Sequence, residues 1–224
     1  TLFSVLFTTF AIGGVANALN IIDGFNGLAS GYSILAMACL AAIAHSVGDT
    51  SLAMLCSVLA CAIAGFFFLN WPWGKLFLGD GGAYFMGFAL AWACVLMVER
   101  NDSISPFAML LVCSYPITEV LFSIYRRRMR HTAPGHPDCL HLHSLIMRRH
   151  IRPCMDSRWA NPITGLIVVA LTTPSLLMAY VLREHTLASI GGYLLVVLCY
   201  LTLYARIVKF RWVAPFCFFQ AKPR

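Results

Sequence analysis

Three short polar segments interrupt an otherwise apolar chain, and their residue types are those that bind cations and phosphates. They are Asn17-Ala18-Leu19-Asn20-Ile21-Ile22-Asp23-Gly24, Phe77-Leu78-Gly79-Asp80-Gly81-Gly82, and His141-Leu142-His143. Carboxylate and amide oxygens are ligands for hard cations, and imidazoles can donate hydrogen bonds to phosphate. If the segments meet in space, they form a site for a metal ion and a phosphorylated ligand at the boundary between water and lipid.

The rest of the chain supplies the elements that must position these residues. Of the 224 residues, 60% are hydrophobic and only 11% are charged, and the mean hydropathy is +0.78, which indicates an integral membrane protein. A bilayer core needs about 20 apolar residues per helix. Seven windows meet this need and predict an all-α, polytopic transmembrane helix bundle in a single domain over 1–224: 2–18, 28–47, 51–69, 82–98, 106–125, 162–182 and 187–207.

The positive charges predict an orientation for this bundle. The formal net charge is +7, and seven crossings place every lysine and arginine except Arg100 and Arg183 on one side. The positive-inside rule makes that side cytosolic. All three polar segments fall there, together with a long polar stretch, 126–161, which we predict to be a cytosolic loop whose Arg126–Arg130 cluster contacts anionic lipid. No aromatic stripe interleaves the basic residues, so nucleic acid is not an expected partner.

The first segment spaces its polar side chains three residues apart. On a helix, Asn17 and Asn20 share a face, and Asp23 follows near the helix end. The spacing is compatible with a plain polar helix end before a tight turn at Gly24 and Gly27. It is also compatible with oxygen ligands for a hard cation or with hydrogen bonds to a polar head group.

The run Asn-Ala-Leu-Asn-Ile-Ile-Asp-Gly-Phe-Asn-Gly-Leu at 17–28 resembles the N-A-x-N-x-x-D-G-x-D/N-G-L signature of the polyprenyl-phosphate N-acetylhexosamine-1-phosphate transferases. This is glycosyltransferase family 4, which includes phospho-MurNAc-pentapeptide translocase. The resemblance implies transfer of a HexNAc-1-phosphate from a UDP-sugar to undecaprenyl phosphate, which gives a lipid-diphosphate-sugar and UMP. Such a reaction initiates a cell-envelope polysaccharide such as O-antigen or capsule.

The resemblance also implies a location and a set of partners. The expected location is the bacterial inner membrane, with the active site on its cytosolic face. The expected partners are UDP-HexNAc, undecaprenyl phosphate and membrane lipids, and a homodimer is a further possible assembly.

The second segment resembles the family's F-x-G-D-x-G element. The resemblance implies a Mg²⁺ cofactor, with Mn²⁺ as an alternative, held by Asp80 and Asn20, and it implies that uracil stacks on Phe77. From the residues alone, a carboxylate among glycines before a helix fits a helix N-cap as well as a metal ligand.

The resemblance assigns the remaining roles in the first segment. Asp23 would be catalytic, in support of the metal and phosphate groups, and Asn17 would bind substrate. Asn26 stands where the commoner bacterial pattern has aspartate, and its amide would pair with the uracil edge.

The third segment lies in Asp138-Cys139-Leu140-His141-Leu142-His143-Ser144-Leu145-Ile146-Met147-Arg148, which resembles the family's D-x-x-H-x-H-H-x-x-x-R stretch, with Ser144 replacing the last histidine. The resemblance implies that His141 and His143 are catalytic and bind phosphate. Imidazoles two residues apart do not share a helix face, so we expect a loop or extended segment. From the residues alone, a solvated basic loop at lipid head groups remains open.

Glu119 lies inside the predicted span 106–125, three residues after Pro116. An acid within a membrane is costly and is therefore a functional candidate. It lies close enough to the cytosolic end to reach the site, so we expect it either to take part in substrate binding there or to be held in an internal salt bridge or hydrogen bond.

The sequence departs from the family in two respects. It has no Asp-Asp pair, which in the family is tied to the acceptor phosphate and to catalysis, and it has seven predicted spans against about eleven helices. Because it begins at Thr1, we expect a fragment that lacks about four N-terminal helices. Two other functions stay open: an inactive family member or scaffold, which the missing pair favours, and a cation-coupled transporter that uses Asp23, Asp80 and Glu119.

Overall fold

A computed structural model of the chain describes residues 1–129 and 140–209. Within these ranges the chain is helical, without strands, as predicted. A single π-helical turn, Met147–Ile151, follows α7. The helices are α1 (Leu2–Ile22), α2 (Leu28–Ser46), α3 (Thr50–Asn70), α4 (Gly79–Arg100), α5 (Pro106–Val112), α6 (Ser114–Met129), α7 (Leu142–Ile146), α8 (Ser157–Val181) and α9 (Thr186–Val208).

Six of these helices are long and apolar enough to cross a membrane, and the pair α5–α6 adds a seventh span if it is counted as one. The predicted polytopic bundle of about seven spans is therefore confirmed. Helix α2 is the most buried of the six and packs against α3, α4 and α8. Helix α1 packs closely on α4, because a Cβ at Gly87 would lie 2.6 Å from the Cα of Ala16.

The predicted span 106–125 is not one straight helix. Helices α5 and α6 meet at Cys113 and are bent by 79° relative to each other. Pro116 has no N–H to donate to the carbonyl of Val112, four residues earlier, and this breaks the helical hydrogen-bond ladder. The hydroxyl of Tyr32 on α2 donates a hydrogen bond to the Val112 carbonyl instead. The bend is therefore compensated from a neighbouring helix.

The stretch 126–161 contains more helix than the sequence predicts. Helix α6 continues to Met129, and α8 begins at Ser157. Arg126 was expected at the lipid surface, and this is wrong: it is buried and donates to the Leu140 carbonyl at 3.0 Å and to the Tyr204 hydroxyl at 3.1 Å. It thus joins α6 to α9 and to the segment that leads into His141. Arg130 and Asp138 lie outside the described residues.

The two ends of the bundle differ in chemistry. At one end, Arg100 forms an ion pair with Asp49 at 2.9 Å, and the backbone N–H of Ser105 donates to the carbonyl of Arg183 at 2.7 Å. These contacts contain the two arginines that charge counting separates from the rest. At the other end, which we call the arginine-rich end, α1 and α3 finish and α4 and α8 begin. The polar segments lie there.

Candidate functional site

The first polar segment forms the end of α1 and the turn into α2. Asp23 is the C-cap of α1, and its backbone N–H donates to the Asn20 carbonyl at 3.3 Å. Gly27 closes the turn with φ +78°, where a side chain would be strained and would approach Trp71 and Phe67 within about 3 Å. The tight reversal holds Asp23 at the arginine-rich end.

Asp23 and Asp80 act on each other across the junction between α1 and α4. Burial, and then the negative charge of Asp80, raise the pKa of the Asp23 carboxyl from its ordinary 3.8 to about 6. Asp80 is exposed on the first turn of α4, and Leu78 occupies the N-cap position. Asp80 is therefore not the helix N-cap that the sequence left open, and its carboxylate faces the same region as Asp23.

This arrangement fits a hard divalent cation. Within residues 1–129 and 140–209, neither Asp23 nor Asp80 has an ion-pair partner, and the half-buried side-chain amide of Asn20 makes no hydrogen bond. Two mutually repelling carboxylates beside an unpaired amide oxygen suit Mg²⁺, which uses one or two carboxylates and completes its shell with water and substrate phosphates. The described residues contain no cluster of three His, Cys, Asp or Glu side chains that could hold a metal on their own.

Phe77 lies directly before α4 and is 76% exposed. It comes three positions before Asp80, so an aromatic ring and a carboxylate both lie at the start of one helix. The ring does not belong to the hydrophobic core, and it can accept a flat partner.

His143 brings the third segment against the first. Its ring packs edge-on against Phe25, with centroids 5.1 Å apart, and its Nε2 lies 3.9 Å from the position of a Cβ at Gly24. Its Nδ1 lies 3.1 Å from the hydroxyl of Tyr115 on α6. The structure therefore joins the histidine segment to the turn that carries Asp23.

His141 is held through the same ring nitrogen, Nδ1, by Glu119. The Oε1 of Glu119 lies 2.9 Å from His141 Nδ1 and accepts a second hydrogen bond from the backbone N–H of Leu142 at 3.1 Å. The hydroxyl of Tyr200 donates to Oε2 at 3.0 Å. Glu119 is fully buried. Of the two roles expected for it, substrate binding or an internal salt bridge or hydrogen bond, the structure shows the internal bond, to a histidine. His141 precedes α7 with extended backbone, whereas His143 lies within that short helix.

Asn26 takes part in a set of hydrogen bonds between loops. Its side-chain amide donates to the Pro72 carbonyl at 3.3 Å, and its backbone N–H donates to Asn161 Oδ1 at 2.8 Å. The side-chain amide of Asn70 accepts from the backbone N–H of Gly27 and donates to the Leu76 carbonyl. Asn26 thus fixes the first segment to the chain before Phe77, and its pairing with a base stays a prediction.

Four residues that support the site were not predicted for this role: Asn70, Tyr115, Asn161 and Tyr200. Each contacts a residue far away in the sequence, and no spacing pattern in the sequence predicts such a contact. Asn17, in contrast, was predicted. It is exposed on α1, and its side chain makes no hydrogen bond within the described ranges.

Comparison with known proteins shows the family to which the chain belongs. The family model for glycosyl transferase family 4 matches residues 1–98, which include the first two polar segments. The undecaprenyl-phosphate alpha-N-acetylglucosaminyl 1-phosphate transferase of Escherichia coli O157:H7 is 30% identical over 94% of this chain and 56% of its own length. The chain therefore belongs to glycosyl transferase family 4.

Two further relatives give a similar result. The Salmonella typhi protein of the same name is 34% identical over 65% of this chain and 41% of its own length. The probable undecaprenyl-phosphate N-acetylglucosaminyl 1-phosphate transferase of Bacillus subtilis is 30% identical over 62% of this chain and 39% of its own length. The chain spans about half the length of the curated relatives it matches.

Proposed function

We propose that this chain carries the donor and metal site of a membrane enzyme that transfers a HexNAc-1-phosphate from a UDP-sugar to undecaprenyl phosphate. The products are a lipid-diphosphate-sugar and UMP, and the reaction initiates a cell-envelope polysaccharide such as O-antigen. The observation that carries the proposal is the meeting of Asp23, Asp80 and the His143 ring at one end of the bundle. The names of the relatives support the acceptor and the group transferred.

Different residues bind different parts of the UDP-sugar donor. Phe77 stacks on the uracil, and the amide of Asn26 and the exposed amide of Asn17 hydrogen-bond to polar groups of the nucleotide. Asp80 and Asn20 would hold Mg²⁺, or Mn²⁺, near Asp23. When bound, the cation screens the charge of the diphosphate and stabilises the leaving phosphate.

The transfer is a displacement at phosphorus. An oxygen of the lipid phosphate forms a bond to the β-phosphorus, the bond from that phosphorus to the bridging oxygen breaks, and the electron pair leaves with UMP. His143 holds a phosphate oxygen through a ring N–H, and His141 turns Nε2 to the phosphate groups, where it donates to an oxygen only when the ring carries both protons. Asp23 would support the groups that hold the metal and the phosphates.

The location of the site explains how two unlike substrates meet. Asp23 lies at the end of a membrane-spanning helix, where a water-soluble nucleotide can reach a lipid-borne phosphate. The arginine-rich end is the cytosolic face by the positive-inside rule, in this proposal that of the bacterial inner membrane.

An inactive relative or scaffold is the second candidate, since the sequence contains no Asp-Asp pair. A cation-coupled transporter is less well supported. Asp23 and Asp80 lie at helix ends, and the Glu119 carboxylate within the span is occupied by His141, Leu142 and Tyr200.

The test is transfer of label by the full-length gene product in membranes, with radiolabelled UDP-GlcNAc, undecaprenyl phosphate and Mg²⁺. We expect a lipid-soluble labelled product and equimolar UMP, both lost in Asp80→Asn and both retained in Asp102→Asn, an exposed aspartate at the opposite end. Equal labelling in Asp80→Asn would remove Asp80 from the site. Absence of label with every UDP-HexNAc would favour the scaffold.

A further inference from the structure

Two side chains of α6 hold the two histidines of the third segment in a common orientation. Tyr115 and Glu119 are four residues apart and therefore lie one above the other on the same helix face. Tyr115 contacts Nδ1 of His143, and Glu119 contacts Nδ1 of His141. The two imidazole rings are stacked, with centroids 5.3 Å apart and planes within 6° of parallel.

This geometry gives the two imidazole rings the same orientation relative to α6. Because each ring is held through Nδ1 from α6, the ring edges that carry Nε2 face away from α6. For His143 that direction is toward Gly24, beside Asp23.

Glu119 does more than orient a ring. A buried carboxylate can only accept hydrogen bonds, so the proton of the neutral His141 ring must lie on Nδ1, and its Nε2 carries the lone pair. Its second contact, with the backbone N–H of Leu142, fixes the main chain next to the same histidine. Tyr200 on α9 donates to the remaining oxygen and keeps the carboxylate in place.

We infer that Glu119 is a positioning residue that sets the Nδ1–H tautomer of His141, with Tyr200 as its support. The inference rests on the proposed function for the purpose of this tautomer, which is to present the Nε2 lone pair of His141 as the acceptor of a substrate proton. The Tyr115 contact sets no such preference at His143, because a tyrosine hydroxyl can either donate or accept.

Nitrogen NMR tests the inference without any need for activity. The full-length gene product is labelled with ¹⁵N-imidazole histidine and placed in lipid nanodiscs, and His141→Gln assigns the signal of His141. At a pH at which the ring is neutral, the wild-type protein should carry the His141 proton on Nδ1. In Glu119→Gln, whose amide can donate as well as accept, this preference should be lost.

Two controls separate the tautomer from the fold. Tyr115→Phe removes the partner of the other histidine on the same helix and should leave the His141 signal unchanged. Glu184→Gln makes the same chemical change at an exposed glutamate on the opposite end and should also leave it unchanged. A wild-type His141 with its proton on Nε2 would overturn the inference, even if Glu119→Gln failed to fold.

A kinetic readout links the tautomer to the reaction. Glu119→Gln should lower kcat for sugar-phosphate transfer by about 10- to 100-fold, the range for carboxylate partners of metal-binding histidines, with KM for the UDP-sugar little changed. Unchanged kcat would show that the tautomer serves no catalytic purpose. Absence of transfer in the wild type would contradict the proposed function but not the tautomer assignment.

Discussion

The side-chain oxygen of Asn70 lies 2.6 Å from the backbone nitrogen of Gly27, although the two residues are 43 positions apart. The other end of the same amide donates to the Leu76 carbonyl at 2.9 Å. One buried side chain thus joins the turn after Asp23 to the segment that leads into Phe77 and Asp80. The relative position of the first two polar segments depends on it.

Asn70→Ala should therefore destabilise the protein and weaken donor binding together. It leaves the buried Gly27 N–H without its partner, at a cost of about 1–3 kcal/mol, and it removes the partly buried bond to the Leu76 carbonyl. Asn70→Asp keeps an acceptor for the Gly27 N–H but places an unpaired buried charge against the Leu76 carbonyl, so it should destabilise the protein as well. Thermal unfolding in detergent and UDP-sugar affinity measure the two effects.

A matched control is Asn101→Ala, which removes side-chain hydrogen bonds to the Met97 carbonyl and to Asp49 at the opposite end. It should lower stability without lowering UDP-sugar affinity. If Asn70→Ala bound UDP-sugar as tightly as the wild type, the bridge would have no part in forming the site.

Gly165 on α8 is a second position at which a substitution should lower stability, because its backbone lies close to the backbone of Asn26. A Cβ there would lie 2.5 Å from the carbonyl oxygen of Asn26. Gly165→Ala should push the first segment away from α8 and cost about 1–3 kcal/mol of stability. Gly191→Ala on α9, where a Cβ would meet nothing within 4 Å, should change stability by less than about 1 kcal/mol. Equal unfolding temperatures for both variants would contradict the close contact.

Mg²⁺ should stabilise the protein through the carboxylate pair. A ligand that binds only the folded state raises stability by about 2.7 kcal/mol at a hundredfold excess over its Kd. We expect a rise in unfolding temperature as Mg²⁺ is added to the wild type and to Asp102→Asn, and little or none in Asp80→Asn. A rise in Asp80→Asn as large as that in the wild type would place the metal elsewhere.

Phe77 should contribute to binding of the uridine moiety. Stacking of a base on an aromatic side chain contributes about 1–3 kcal/mol, so Phe77→Ala should weaken UDP affinity about 5- to 150-fold, whereas Phe77→Tyr should retain most of it. Phe85→Ala removes another exposed ring, 62% accessible, from the body of α4 and should have no such effect. Isothermal titration calorimetry with UDP distinguishes the variants, and equal affinities for Phe77→Ala and Phe85→Ala would argue against stacking.

The spans and the end at which the polar segments lie could be predicted from the sequence because both follow from local properties. Hydropathy locates apolar helices within a few residues, and helices that alternate direction carry Asp23, Asp80 and His141 to the same end. The bend at Cys113 was missed because hydropathy is continuous over 106–125. The signal was Pro116, but a proline in a membrane helix does not by itself reveal which carbonyl it frees or that Tyr32 will bind it.

The support around the site could not be predicted because it depends on pairings between distant helices. Nothing local indicates that Glu119 will meet His141, or that Asn70 will reach Gly27. The motif resemblance identified the side chains that are candidates for chemistry. The residues that hold them in place, such as Asn161 and Tyr200, belong to the packing of this bundle and become visible only in three dimensions.

The central claim is that Asp23 and Asp80 act together at one site, and a double-mutant cycle on the transfer rate tests it most directly. Asp23→Asn and Asp80→Asn should each lower the rate of sugar-phosphate transfer by about 10²- to 10³-fold, as loss of a group that stabilises transition-state charge does. Because both would act through one shared cation, the double variant should be little slower than the worse single variant. If the fold-reductions in transfer rate of the two single variants multiplied in the double variant, the two carboxylates would act at independent sites, which would contradict the account.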